Sequence, residues 1–164
     1  MAAMVVVREV DADEWELLRD VRLAALREAP YAFGSTYERE APFTEEQWRG
    51  RLAARAVNFF AFTGELADRE PAGLAAVFEG DGPAELVSMW VRPSARGRGV
   101  GEALIGASAG WARKRDHDTL YLWVTETNQA ARRLYERCGF SSTGDRQPLP
   151  SDLSLQEIRM RRAL

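Results

Sequence analysis

The sequence predicts one domain of mixed α/β class, built on a central, mostly antiparallel sheet flanked by helices. Three observations carry that reading. The 164 residues leave room for one sizeable hydrophobic core, so residues 1–164 read as a single domain. The first half alternates β-rich runs with polar turns, as antiparallel strands do. From Glu85 onward the order becomes strand, glycine-rich loop, helix, strand, helix, and that order needs a crossover, which favours a local parallel pair within a mixed sheet.

The elements follow in order. Residues 5–10 are rich in β-branched side chains and read as a first strand, and acidic residues at 11–14 open a helix that runs to about Glu28, closed by Pro30. Residues 31–43 have no clear period and read as an irregular connection. Thr44 and Gln47 form a capping-box start to a second helix, expected to run to about Arg55. Strands follow at 57–63 and 72–78, separated by a polar turn over 64–71, and a further turn at 80–83 leads into a strand at 85–91. Helices are predicted at 99–114 and 128–138 around a strand at 119–124. Strands at 140–144 and 153–161 enclose a turn-rich loop at 145–152.

Scarcity of three residue types narrows the chemistry. The chain has one histidine, His117, one cysteine, Cys138, and a single lysine, Lys114, so its basic residues are almost all arginine. Zinc sites take about three or four protein ligands, so no metal is expected. A lone cysteine forms no internal disulfide, and Cys138 reads as a small buried hydrophobe at a helix end. His117 sits in a charged run at a predicted helix end and reads as a solvated side chain, a poor base for a catalytic triad. The net charge of −3 gives no basic field for nucleic acid and mildly suits a cationic acceptor. No stretch approaches a membrane span or a signal peptide, so a cytoplasmic protein with no membrane partner is expected.

The strongest local signal is the run from Met89 to Gly101, a strand passing through a glycine-rich loop into a helix. Such a loop lets backbone approach an anion, and the helix N-terminus favours phosphate. A Walker A loop fails because the only lysine lies at the far end of the following helix. The dinucleotide fingerprint fails as well. Counting from Gly97 it meets Glu102 where a glycine is needed, and from Gly99 it meets Leu104.

What matches is Arg-x-x-Gly-x-Gly at Arg96, Gly99 and Gly101, followed by Asn128 through Phe140 as a second motif. This pair resembles the GNAT superfamily of acyl-CoA-dependent N-acetyltransferases, specifically over residues 85–140 and by element order elsewhere. The resemblance implies a parallel strand pair splayed into a cleft, with acetyl-CoA as acyl donor. Loop amides at Gly97, Arg98, Gly99, Val100, Gly101 and Glu102 would hold the pyrophosphate, with Arg96 beside them. The main chain of Met89, Trp90 and Val91 would pair with the pantetheine arm as a peptide pairs with a strand edge. Met89 and Val91 are expected on one face with Glu85 and Val87, by strand alternation. Asn128 reads first as a helix N-cap, with a cofactor contact implied by resemblance.

For the chemistry, the resemblance implies that Tyr135 stands near the cofactor sulfur and assists thiolate departure, whereas its helical spacing alone also fits a core tyrosine. Glu85 is the candidate base that takes the amine proton, with an exposed strand-end carboxylate as the plain alternative and Glu126 in reserve. Tyr31, Phe33, Gly34 and Tyr37, with the loop at 145–152, would flank the acceptor. Core packing or a homodimer contact explains the same aromatics. The expected reaction is direct acetyl transfer to a primary amine of a small molecule or peptide. A non-catalytic acyl-CoA-binding sensor or interaction module is the competing reading.

Overall fold

The computed structural model describes residues 4–53, 55–64 and 70–164. Most of the turn expected over 64–71 therefore lies outside the described residues. The strands are β1 (Val5–Glu9), β2 (Ala56–Thr63), β3 (Gly73–Glu79), β4 (Ala84–Val91), β5 (Thr119–Thr125), β6 (Ser141–Leu149) and β7 (Asp152–Ala163). The helices are α1 (Trp15–Glu28), α2 (Tyr37–Glu40), α3 (Glu45–Gly50), α4 (Val100–Lys114) and α5 (Gln129–Arg137). The strands form one seven-stranded sheet in the order β1-β2-β3-β4-β5-β7-β6. Every pairing is antiparallel except β4 with β5, the pair joined through the α4 crossover.

Alternation along each strand sorts the side chains into two layers. Phe59, Ala75, Leu86, Leu120, Leu122 and Met160 face α4 and α5 in one core. Phe60, Phe62, Leu74 and Trp90 face α1 in the other. Strand β2 is buried continuously from Val57 to Phe62 because both of its faces are covered, which explains its unbroken apolar run. Among the described residues no helix is long and apolar enough to cross a membrane.

Three elements depart from expectation, each for a local reason. The connection at 31–43 contains the short helix α2, capped by Thr36, whose hydroxyl accepts from the Arg39 amide at 3.2 Å. Thr44 and Gln47 do form a capping box, but α3 stops at Gly50 instead of Arg55. Just past its end Arg51 turns its guanidinium onto Glu40 at 3.0 Å, and the Arg51 carbonyl accepts from the Asn58 side chain at 2.9 Å. The late loop expected at 145–152 is mostly strand. β6 runs to Leu149 and pairs back on β7, with a register break at the left-handed Gly144. Its polar sequence and Pro148 read as loop because β6 is an edge strand, where a missing amide and a solvated face are tolerated.

One buried ion cluster ties α1, α2 and the end of α3 to the sheet. Glu40 is fully buried and takes a bidentate pair of hydrogen bonds from Arg22, both 3.0 Å, in addition to Arg51. Burial alone would push the Glu40 carboxyl up, but the hydrogen bond and charge of Arg22, then Ser35 and Arg51, hold it below its ordinary value. A depressed folded-state value means that the cluster stabilises the fold above the unfolded carboxylate range and loses that contribution as pH falls through the lowered value. Glu40→Gln leaves two guanidinium groups without their anion. A loss of about 3 kcal/mol of stability is expected, read by chemical denaturation at neutral pH, with the difference from wild type shrinking in acid.

Candidate active site

Strands β4 and β5 are paired only at Ala84 with Leu120, Glu85 with Tyr121 and Leu86 with Leu122, and then diverge. At the point of divergence β4 carries a bulge. The register with β3 shifts between Leu74 and Ala76, and Ser88 takes a left-handed backbone with φ of 59°. The extra residue reverses which side chains face which layer. Met89 and Val91 consequently pack with the α4 core, the same side as Ala84 and Leu86, while Trp90 joins the α1 core. The expectation that Met89 and Val91 share a face with Glu85 and Val87 is therefore corrected: simple alternation cannot anticipate a bulge.

The bulge is held from the α1 side. Arg22, already oriented by Glu40, donates to the Ser88 hydroxyl at 3.3 Å and stacks over Phe33 at 4.9 Å. Beyond the fork lies a cleft of about 490 Å³. One wall is the end of β4, Met89 to Val91, and the facing wall is Trp123 and Val124 of β5. The cleft continues to Arg96, Gly97 and the first turn of α4, and is closed by α5 through Asn128, Leu134 and Tyr135.

The first turn of α4 is left open by design of its sequence. Gly99, with φ of 84°, occupies the N-cap and offers no side chain to the helix amides. The first amide bonded back into the helix is that of Ala103, which donates to the Gly99 carbonyl at 3.1 Å, so the amides of Val100, Gly101 and Glu102 remain for a ligand. Gly101 serves a different end, since a Cβ there would stand 2.7 Å from Leu134 of α5. Its absence lets the two helices close against each other.

Of the residues singled out by sequence, Met89, Trp90, Val91, Arg96, Gly97, Gly99, Val100, Gly101, Glu102, Asn128 and Tyr135 all line this cleft. Arg98 is exposed beside it and Glu85 stands just before the fork. Arg96 is less free than expected. Its Nε donates to the Val91 carbonyl at 3.0 Å, and its guanidinium pairs with Glu28, which also accepts from Trp90 Nε1 at 3.0 Å. Asn128 caps α5 by accepting from the Ala131 amide at 3.3 Å. Tyr135 is 6% exposed, packs edge-on against Phe140, and has its phenol pushed well up by burial and then by Cys138, so it stays protonated. Its hydroxyl is bonded to no other described residue.

On the opposite face, Glu85 is half-buried and its carboxyl is raised by burial, an effect partly offset by the charge of Arg159. The reserve candidate Glu126 is instead paired with Arg146 at 2.5 Å. His117 is not freely solvated: it bonds Glu79 at 2.7 Å, beyond the far end of α4 from the cleft. Cys138 is half-buried with its thiol pushed up by burial. Of the expected acceptor-side aromatics only Tyr31 lines the cleft, since Phe33 is core and Tyr37 stacks under Arg27 at 4.2 Å. Gly34 lies against Pro150, and Ser151 donates to the Phe33 carbonyl, so the two segments expected to flank the acceptor do meet. Trp123 and Arg137 were missed by sequence reading. The alternation of apolar Leu120, Leu122 and Val124 with Tyr121 and Trp123 was the available signal for the first.

These features coincide with a known family. The Acetyltransferase (GNAT) family profile matches residues 18–140, and the chain belongs to that family. It is 45% identical over 62 residues to a mycothiol acetyltransferase of Thermobispora bispora, a match covering 37% of this chain and 21% of that protein. It is 42% identical over 57 residues to an uncharacterized N-acetyltransferase of Methanocaldococcus jannaschii, covering 35% of this chain and 25% of that one. The chain thus spans about a quarter or less of the length of these two relatives. In fold it is similar to spermidine N-acetyltransferase from Vibrio cholerae, solved with CoA and spermine. The TM-score is 0.75 at 18% identity over 97% of this chain and 95% of the other.

The helix contact makes a direct prediction. Gly101→Val drives a side chain into Leu134 and moves the cleft wall, so CoA affinity falls at least about tenfold by calorimetry and stability drops by about 1–3 kcal/mol. Gly110→Ala, in the same helix with nothing within 4 Å of the added carbon, is expected to leave stability unchanged or raise it by up to about 1 kcal/mol.

Proposed function

We propose that this protein transfers an acetyl group from acetyl-CoA to a primary amine by direct transfer within a ternary complex. The observation that carries the reading is the fork itself, an open cleft that leads from the free amides at the start of α4 to the diverging ends of β4 and β5, just past the rung that carries Glu85. Family membership and the CoA complex of the Vibrio cholerae relative support the same donor.

The residues fit acyl-CoA by chemistry as well as by position. Three unpaired amides and the positive end of a fifteen-residue helix suit a pyrophosphate. Past Leu86 the β4 main chain has no partner strand on its β5 side, which suits the amides of pantetheine. Arg137 also lines the cleft, where it pairs with Glu102 at 3.4 Å. When bound, acyl-CoA supplies the thioester carbonyl, whose carbon gains a bond to the amine nitrogen and loses its bond to sulfur.

The protein's own part is to move two protons and hold the geometry. Glu85 takes a proton from the incoming ammonium, directly or through water, and its raised carboxyl is better matched to that task than an ordinary one. A backbone amide at Met89 or Val91 polarises the carbonyl oxygen. Tyr135, kept protonated by burial, gives its proton to the departing sulfur, and the second proton released by the acylated nitrogen returns to the phenolate through water.

Release of free thiol from acetyl-CoA across a broad amine panel tests the activity. Saturable CoA binding with no turnover on any amine would instead identify a binding module. Because Glu85 acts as the anion, kcat/KM is expected to rise with pH through a limb above the ordinary carboxylate value of about 4.3. Glu85→Gln should remove that limb and lower kcat about a hundredfold, and Tyr135→Phe should lower kcat tenfold or more, roughly, with little change in CoA affinity. Wild-type rates and pH profiles in both variants would refute the roles given to these two side chains.

A further inference from the structure

The sheet face that carries Glu85 also carries an arginine that forms no ion pair among the described residues, although its charge acts on Glu85. Arg159 of β7 lays its guanidinium over the ring of Tyr121 at 4.1 Å and within 5.9 Å of Trp123. Its Nε is buried and has no hydrogen-bond partner, and no ion pair is formed by this side chain among the described residues. That is unlike Arg22, Arg51, Arg96 and Arg146, each of which meets a carboxylate. A buried guanidinium N–H without an acceptor is costly, and the terminal amino groups of the same side chain, which also carry no partner among the described residues, are the part that an outside anion reaches.

Its position indicates what that group accompanies. Tyr121 pairs with Glu85 across the β4–β5 ladder, so a guanidinium stacked on Tyr121 lies beside the proposed base. Trp123 links the two regions, since it lines the cleft and also approaches Arg159. The neighbouring acid on this face is Glu157, which is buried and held by Gln147 at 2.5 Å. One cation between two carboxylates is the complement of a small zwitterion: an ammonium drawn to Glu85 and Glu157, with its own carboxylate on the Arg159 fork.

Resting on the transferase reading above, we propose that the acceptor is an amino acid, whose amine is acetylated at Glu85 while its carboxylate is bound by Arg159. The stack on Tyr121 fixes the guanidinium plane, and its terminal amino groups, which are not buried, are the end that meets that carboxylate. A polyamine would place a second cation against Arg159, and a simple alkyl or aryl amine would leave the Arg159 amino groups without an anion.

The test uses matched acceptors with acetyl-CoA: an amino acid, its methyl ester and its decarboxylated amine, such as phenylalanine, its ester and phenethylamine, with spermidine as the polycation. The amino acid is expected to exceed its amine and ester by about tenfold or more in kcat/KM. Arg159→Ala should reduce that ratio to near one through the acceptor KM, with the KM for acetyl-CoA changed less than about twofold. Arg159→Gln keeps the length and polarity of the side chain and should give the same collapse if the alanine variant folds poorly. Equal use of acid, ester and amine, a preference for spermidine, or an equal loss on all acceptors in the Arg159 variants would overturn the amino-acid assignment while leaving the transferase reading intact. No transfer to any acceptor, with CoA still bound, would overturn both.

Discussion

Strands β4 and β5 share three rungs and then separate, and the site depends on that separation. Two parallel strands that stayed paired would bury the main chain of Met89, Trp90 and Val91 in a ladder and leave no passage through the sheet. The bulge at Ser88 enforces the divergence by adding a residue to β4 against β3, which bends the strand and rotates its last three side chains. The same rotation sends Trp90 into the α1 core, where its indole nitrogen reaches Glu28, and turns Met89 and Val91 toward the helices that close the cleft.

A left-handed serine persists only where its surroundings hold it, and here the holding is electrostatic. Glu40 orients Arg22, and Arg22 reaches Ser88, so a carboxylate on the short helix α2 is connected through two hydrogen bonds to the strand that shapes the cleft. Arg51 adds the end of α3 to the same cluster. Arg96 works in parallel from the other end of the strand, bonding the Val91 carbonyl and pairing with Glu28 at the end of α1. The motif arginine therefore braces the loop against α1 as well as bordering the cleft, a role that a motif match alone does not reveal.

Much of this was legible in the residues. The spacing of Arg96, Gly99 and Gly101 located the loop and the exposed amides of α4, and Asn128 to Phe140 located the helix that carries Tyr135. Those features are local: a cap, a left-handed glycine and a helix start are specified within a few positions. The bulge at Ser88 was not legible because it exists only as a mismatch of register between two strands, and serine carries no mark of it. The helix α2 was hidden by its brevity, since four residues show no period. Strand β6 was hidden by its place at the sheet edge, where a polar sequence and Pro148 are permitted. Arg159 escaped notice because its meaning depends on Tyr121, thirty-eight positions earlier, and on the ladder that sets Tyr121 beside Glu85.

The central claim is that the fork between β4 and β5 receives CoA, with its pyrophosphate on the first turn of α4. A titration of the isotope-labelled protein with CoA, followed through backbone amide resonances, addresses it most directly. Saturable shifts are expected to be largest at Gly97 to Glu102 and at Met89 to Val91, with the His117 end of α4 unmoved. Shifts confined to other surfaces, or none at millimolar CoA, would contradict the account.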